Sequence, residues 1–233
     1  MTSLAEQLLT RPPRLLRPLL PGAEWTAPAV APGGRPVLYL TFDDGPLPEQ
    51  TLWVLEQLAA HQARATFFCV GQNLARYPDI ARQALAAGHR LGNHTQHHRS
   101  AWRTGRAAYL TEVTACQQAL APLLATVPAW SGPAPAPTVE VARPLFRPPY
   151  GRLTWPLLAA LRPRYRVVMW SVLTRDYDPG LAPETCLRLT LAATRPGDIL
   201  VFHDSHKAAR NMRFVLPRVL HHFAAAGFEF HAL

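Results

Sequence analysis

Two adjacent carboxylates follow an apolar segment early in the chain. Asp43 and Asp44 come directly after Val37–Phe42 and stand before Gly45 and Pro46. A buried carboxylate without a partner is strongly disfavoured, and a bound cation is one partner that would satisfy these acids. The Gly-Pro pair predicts a tight turn that lets both acids face inward. The alternative is a turn in solvent in which neither acid binds anything.

A histidine pair follows in a second segment. His94 and His98 are four residues apart, a spacing that places both imidazoles on one side of a helical turn. Two histidines and one carboxylate leave coordination positions open for water, as catalytic metal sites require. His97 leaves a second choice of ligands open, because it is also spaced to share a face with His94. A cluster of surface histidines is the alternative to a metal site.

Three more polar residues follow apolar segments farther along the chain. The guanidinium of Arg147 stays charged and can hold a carboxylate through paired hydrogen bonds. Asp176 and His203 supply an acid and an imidazole. A proline-rich surface loop is the alternative for Arg147, and a capped core residue is the alternative for His203. We assign Trp170 to the core rather than to substrate contact.

Short apolar segments alternate with helical patterns from about residue 35 onward. Helical spacing recurs, for example, at Leu52, Leu55 and Leu58. The alternation predicts an α/β fold with a parallel sheet or barrel. In such folds the carboxyl ends of the strands lie at one face, so polar residues that follow different strands converge on one pocket. The predicted strands are Val37–Phe42, Ala65–Val70, His89–Gly92, Leu145–Phe146, Arg166–Leu173, Ile199–Phe202 and Phe228–Ala232.

The 233 residues suit one domain with a substantial core. We divide the chain into a proline-rich N-terminal extension, residues 1–34, and one domain, residues 35–233. Ser131–Pro144 is rich in proline and alanine, which predicts an extended surface insertion. An odd number of widely spaced cysteines predicts reduced, buried thiols; they are Cys69, Cys116 and Cys186.

The net charge of +9 comes almost entirely from arginine, since Lys207 is the only lysine. A basic chain can bind nucleic acid, but no dense basic run or nucleic-acid motif is present, so we favour a solvated basic surface.

The leucines and arginines of residues 8–20 could form a basic amphipathic helix on a membrane surface. The prolines in this segment argue against a continuous helix. No secretory-signal pattern opens the chain, which predicts a cytoplasmic location. The oligomeric state is left open.

Taken together and in this order, the five polar segments resemble the motifs of the polysaccharide deacetylase family, carbohydrate esterase family 4. The resemblance covers the chain from about Val37 to its C-terminus and implies a distorted, incomplete (β/α) barrel as the catalytic domain. The matching segments are Thr41–Pro46 for TFDDGP, His94–His98 for H(S/T)xxH, Arg147–Tyr150 for RxPY, Leu173–Tyr177 for DxxDW and Leu200–His203 for LxxH.

The resemblance also implies a role for each matching residue. A divalent metal, usually zinc, would be held by Asp44, His94 and His98. Asp43 would be the general base and His203 the general acid. Arg147 would hold Asp43, and Asp176 would pair with His203. The backbone N–H of Tyr150 would help bind the oxyanion, and Tyr177 would line the substrate groove.

The implied reaction is removal of the N-acetyl group from an N-acetylated oligo- or polysaccharide of the chitooligosaccharide or peptidoglycan type. Two departures from the family pattern bear on substrate choice, because Leu173 replaces the first Asp of DxxDW and Tyr177 replaces its Trp. The alternatives are a deacetylase of another acyl sugar such as acetylxylan, a metal-free carbohydrate-binding relic of the fold, and a basic nucleic-acid-binding protein.

Overall fold

The computed structural model of the protein describes residues 4–125 and 143–233. The strands are β1 (Val37–Asp43), β2 (Ala65–Cys69), β3 (Arg90–Asn93), β4 (Leu145–Phe146), β5 (Arg166–Val167), β6 (Val172–Leu173), β7 (Ile199–His203) and β8 (Glu229–Phe230). The helices are α1 (Leu4–Thr10), α2 (Pro48–Ala60), α3 (Gly71–Arg76), α4 (Pro78–Ala86), α5 (Arg106–Leu124), α6 (Trp155–Leu161), α7 (Pro183–Ala193) and α8 (Ala209–Ala225). Two 3₁₀-helices span Arg14–Leu19 and Pro149–Gly151.

The strands form one parallel sheet in the order β5-β4-β3-β2-β1-β7-β6, with β8 paired to the start of β1. All seven residues of β1 are buried, as expected for a central strand with both faces covered. Among the described residues, the two edge strands, β5 and β6, do not pair with each other, and helices surround the sheet. The predicted fold class, a distorted and incomplete (β/α) barrel, is confirmed.

The prediction of one continuous strand over Arg166–Leu173 is wrong. This segment forms two short strands, β5 and β6, at opposite edges of the sheet. The chain between them crosses the gap in the barrel, because the N–H of Val168 donates to Phe146 of β4 and the N–H of Ser171 donates to Ile199 of β7. An apolar run that crosses from one sheet edge to the other has the same composition as a buried strand, so periodicity could not separate the two.

Aromatic packing lies directly beneath the end of β1. Phe42 stacks on Phe67 of β2 with ring centroids 5.1 Å apart and on Phe202 of β7 at 5.7 Å. The three rings are fully buried or nearly so, and each contributes about 1.5–3 kcal/mol by leaving water. Because Phe42 precedes Asp43 and Phe202 precedes His203, this cluster fixes the positions of two polar residues at the rim of the barrel.

The N-terminal extension packs on the rest of the chain. Arg11 forms a two-pronged ion pair with buried Asp198, at 2.6 and 3.2 Å. Glu24 joins the barrel through its backbone, since its N–H donates to Val167 and its carbonyl accepts from Met169. The boundary at residue 35 remains a prediction.

Except for its last two residues, the predicted surface insertion Ser131–Pro144 lies outside the described residues. Over the ranges that the structure covers, no helix is both long and apolar enough to cross a membrane.

Candidate metal and catalytic site

The predicted site residues meet at the carboxyl ends of the strands. Asp43, Asp44, His94, His98, Tyr150, Tyr177 and His203 line one cavity of about 570 Å³. Arg147 and Asp176 lie behind its wall, where each is hydrogen-bonded to a lining residue. Five segments that are far apart in the sequence therefore contribute to one pocket.

Asp44, His94 and His98 present their donor atoms to a common point. One oxygen or nitrogen from each lies within 4.8 Å of the other two. Asp44 Oδ1 is 3.2 Å from His98 Nε2 and 3.9 Å from His94 Nε2. That oxygen is buried and has no hydrogen-bond partner among the described residues. An orphaned buried carboxylate oxygen facing two imidazole nitrogens is the arrangement that a divalent cation would satisfy.

The two histidines do not lie on a helical turn, so that part of the sequence interpretation is wrong. Residues 94–98 form a loop after β3, and Thr95 and His98 both have positive φ, at 65° and 55°. The left-handed backbone turns His98 back toward Asp44. His97 points away, since its Nδ1 lies 2.9 Å from Glu112 of α5 and its side chain is about half exposed. The alternative ligand pairs that include His97 are therefore not supported by the geometry.

Backbone strain concentrates around the cavity. Apart from Gln62, every non-glycine residue with positive φ in the described ranges belongs to a loop at this end of the barrel. Such conformations cost on the order of 1–3 kcal/mol each and persist only where the surrounding structure enforces them. These residues are Asp44, Thr95, His98, Tyr150 and Arg175.

A hydrogen bond orients His94. Its Nδ1 lies 2.8 Å from the carbonyl oxygen of Arg147, so Nδ1 carries the proton and Nε2 offers its lone pair to the cavity. Burial, only partly offset by Asp43 and by Asp44, lowers the pKa of His94 to about 4. The ring is therefore neutral at physiological pH, which is the form that binds a metal.

Asp43 and Arg147 form a buried ion pair next to the triad. Arg147 Nη1 donates to Asp43 Oδ1 and to Thr41 Oγ1, both at 2.7 Å. Its other nitrogens donate to the carbonyls of Val168 and Met169 at 3.3 and 2.9 Å. Burial alone would raise the pKa of Asp43, but the charge and hydrogen bond of Arg147, together with His94 and His203, outweigh it and hold that pKa below its ordinary value. Asp43 is thus a carboxylate whose free oxygen, Oδ2, lies 3.9 Å from His94 Nε2.

His203 lies beside Asp43, because the two residues are register partners at the ends of the adjacent strands β7 and β1. Asp176 holds His203 from behind. Its Oδ1 lies 2.8 Å from His203 Nδ1, and its Oδ2 accepts the His203 N–H at 2.8 Å. Burial opposes protonation of the ring, but the charge and hydrogen bond of Asp176, together with the charges of Asp44 and Asp43, overcome it and raise the pKa of His203 to about 9. His203 is therefore an imidazolium at neutral pH.

Aromatic side chains form the walls between these groups. Tyr150 packs on His98 with ring centroids 4.6 Å apart, and Tyr177 packs edge-on against His203 at 4.9 Å. The N–H of Tyr150 makes no hydrogen bond within the described parts of the chain. Trp170 packs against the core, as predicted, and also lines the cavity beside Leu173. Leu173 is the residue that departs from DxxDW, and it gives the cavity an apolar face.

One functional candidate was missed by the sequence reasoning. Asp204 is fully buried, accepts the Gly45 N–H at 3.0 Å and accepts the Thr51 hydroxyl at 2.5 Å. Burial, against the hydrogen bonds from Thr51 and Gly45, raises its pKa to about 7. Asp204 thereby ties the end of β7 to the turn that follows Asp44. Its position directly after an apolar strand was the signal that could have identified it.

Comparisons with known proteins agree with this geometry. A sequence model described as polysaccharide deacetylase matches residues 31–163. A peptidoglycan-N-acetylglucosamine deacetylase of Bacillus cereus is 29% identical over 179 residues, which are 75% of this chain and 58% of that protein. A chitooligosaccharide deacetylase of a Bradyrhizobium species is 34% identical over 175 residues, covering 74% of this chain and 73% of the relative.

A solved structure shows the same architecture. The crystal structure of a peptidoglycan N-acetylglucosamine deacetylase superposes with a TM-score of 0.76 at 26% identity and covers 91% of both chains. The motif order, the half-open parallel barrel and the family match concur, and the chain belongs to the polysaccharide deacetylase family. The chain spans 58% of the length of the Bacillus cereus relative.

Proposed function

We propose that the protein hydrolyses the N-acetyl group of an N-acetylated sugar in an oligo- or polysaccharide, with a divalent metal, and releases acetate and a free amine. The observation that carries the proposal is that three metal-type donors share one cavity with an ionised acid and a protonated imidazole. One relative is named a peptidoglycan-N-acetylglucosamine deacetylase and another a chitooligosaccharide deacetylase. These names support an N-acetylated glycan as the substrate class.

Asp44, His94 and His98 would hold the metal. Their donor atoms converge, His94 is neutral, and Asp44 Oδ1 has no hydrogen-bond partner in the described parts of the chain. The donor set of two imidazoles and one carboxylate suits zinc and leaves open positions. When bound, such an ion supplies Lewis acidity toward the acetyl carbonyl and toward water.

Asp43 would act as the general base. Its Oδ1 is engaged by Arg147, which leaves Oδ2 on the side of the triad to accept a proton from the attacking water. Because Arg147 keeps the carboxylate ionised in a buried place, the base is ready at neutral pH. The water oxygen then forms a bond to the amide carbon, and negative charge develops on the carbonyl oxygen.

Two groups of this chain would complete the reaction. The N–H of Tyr150, which has no hydrogen-bond partner among the described residues, would donate to the developing oxyanion. His203, held as imidazolium by Asp176, would give its proton to the nitrogen as the carbon–nitrogen bond breaks, because an amine anion is too poor a leaving group. The products balance as acetate and an amino sugar.

Acetate release from chitooligosaccharides, from peptidoglycan and from acetylated xylan tests the proposal with the zinc-loaded protein. We expect release from the N-acetylated polymers, and a loss of about 10²–10⁴-fold in kcat for Asp43→Asn with its zinc content unchanged. Release from acetylated xylan alone would identify an O-deacetylase instead. No release from any of these polymers would contradict the proposal, and a failure to bind zinc as well would favour the metal-free relic that only binds carbohydrate.

A further inference from the structure

Two cations line the cavity, each beside a tyrosine. Arg152 lies over the ring of Tyr150 at 5.5 Å and over that of Trp102 at 4.9 Å, and Tyr150 in turn packs on His98 of the triad. Lys207 lies over the ring of Tyr177 at 5.5 Å, and Tyr177 packs on His203. Each wall of the cavity therefore carries a tyrosine against a central imidazole and a cation against that tyrosine.

Neither cation has a carboxylate partner within ion-pair distance in the described part of the chain. Several arginines elsewhere do, such as Arg11 with Asp198 at 2.6 Å. Arg175, by its hydrogen bond, and more weakly Lys207 lower the pKa of Asp178, but Asp178 is already paired with Arg175 at 2.7 Å. Both Arg152 and Lys207 line the cavity, so a ligand that enters it comes near both charges.

These positions favour an anionic ligand over a neutral one. A charge at the rim of a binding site acts mainly on the rate of association and on its salt dependence, and the attraction extends over roughly 8 Å at physiological ionic strength. A sugar chain that passes between the two walls would bring its substituents beside both cations. A neutral N-acetylglucosamine polymer has nothing to pair with them, whereas a glycan that bears carboxylates next to the reacting sugar does.

We infer that Arg152 and Lys207 form a carboxylate-binding rim, and that the substrate is an N-acetylated glycan carrying carboxyl groups on the sugars or side chains that flank the reacting residue. The inference rests on the proposed function for the identity of the reacting group. The binding of the glycan itself does not depend on turnover, which allows the two to be tested separately.

The experiment measures the Kd of the full, zinc-loaded chain for soluble peptidoglycan strands. The matched ligand is the same preparation with its carboxyl groups converted to amides, which keeps the sugars and removes the charge. Arg152→Gln, Lys207→Gln and the double variant are compared with wild type at low and high salt. Arg218→Gln is the control variant, because Arg218 also stacks on an aromatic ring, Phe214 at 3.8 Å, but does not line the cavity.

We expect wild type to bind the carboxylated strands more tightly than the amidated ones, with a preference that shrinks at high salt. Each rim substitution should reduce that preference about two- to fivefold, and Arg218→Gln should leave it unchanged. Equal Kd values for the two ligands in wild type, or an undiminished preference in the double variant, would overturn the inference. Acetate release is recorded in parallel: its absence together with a rim-dependent preference would refute the deacetylase proposal and leave the rim intact.

Discussion

Arg147 Nη1 donates to Asp43 Oδ1 at 2.7 Å, and neither side chain is more than 6% exposed. Removing one partner of a buried pair leaves the other charge without compensation, which costs about 3–5 kcal/mol. Arg147→Met should therefore lower the free energy of unfolding by this amount in urea denaturation. The control is Arg166→Met, which breaks a more exposed pair with Glu24 at 2.7 Å and should cost only about 0–1 kcal/mol. Equal losses for the two variants would contradict the assignment of Arg147 as the buried anchor of Asp43.

The pair of His203 and Asp176 predicts the alkaline limit of activity. His203 has a pKa of about 9, so the acid form is complete at neutral pH and is lost as the pH rises through 9. Asp176→Asn removes the charge that raises this pKa, and the alkaline limb of kcat/KM should move down by about 1–3 pH units. The measurement is the pH profile of acetate release, and an unmoved limb would assign it to another group.

The same pair makes a matching prediction for stability. Because the folded-state pKa of His203 lies above its ordinary value of 6.5, the pair stabilises the fold fully below pH 6.5. That contribution is lost as the pH rises through about 9. The stability difference between wild type and Asp176→Asn should therefore narrow from pH 6.5 to pH 9.5 in urea denaturation. A difference that stays constant over this range would contradict the coupling.

The metal triad predicts different outcomes for two neighbouring histidines. His94→Ala should lose zinc, because its Nε2 faces Asp44 Oδ1 across 3.9 Å. His97→Ala should retain zinc, because His97 is turned toward Glu112. Elemental analysis after dialysis decides between them. Zinc should also raise the stability of wild type by about 2.7 kcal/mol at a free concentration of 100 times Kd, and this gain should disappear only in His94→Ala.

Much of the convergence of the site could be predicted from the sequence. Asp43, His94 and His203 each follow an apolar segment that was expected to be a strand. Parallel strands end at the same edge of a sheet, so the three side chains had to meet there. Composition and order along the chain are sufficient for that inference, because the apolar strand segments determine which faces are buried and where each strand stops.

The local backbone was beyond the reach of sequence patterns. The positive φ of His98, at 55°, is imposed by tertiary packing. No glycine or other sequence pattern at this position predicts a left-handed backbone. The contact between His97 and Glu112 joins residues 15 positions apart, and only the docking of α5 creates it. For Asp204, the position at the end of a strand could be read from the sequence, but its hydrogen-bond partners could not. Those partners, Gly45 and Thr51, lie more than 150 residues away along the chain.

Asp204 should act as a positioning residue for the metal triad. It holds the Gly45 N–H directly after Asp44, and a Cβ on Gly45 would lie only 2.0 Å from Asp204 Oδ2. Asp204→Asn keeps the shape but cannot accept from both Gly45 and Thr51. Loss of such an outer contact weakens metal binding by about 10–100-fold. We expect that rise in the Kd for zinc, measured by competition with a chelating dye, while Asp79→Asn on the exposed surface leaves it unchanged. An unaltered Kd would limit Asp204 to a role in stability.

The N-terminal extension should contribute to stability through Arg11. Asp198 is 2% exposed at its side chain and depends on Arg11 and on the N–H of Arg195 for its hydrogen bonds. Arg11→Gln leaves a buried carboxylate under-satisfied, which costs about 1–3 kcal/mol. The urea midpoint should fall accordingly, while Arg14→Gln, an exposed neighbour on the same extension, should have little effect. If both variants were as stable as wild type, the contact between Arg11 and Asp198 would contribute nothing measurable to the stability of the fold. A selective loss in Arg11→Gln would show that the extension is clamped to the base of β7, at the end of the barrel opposite the metal triad.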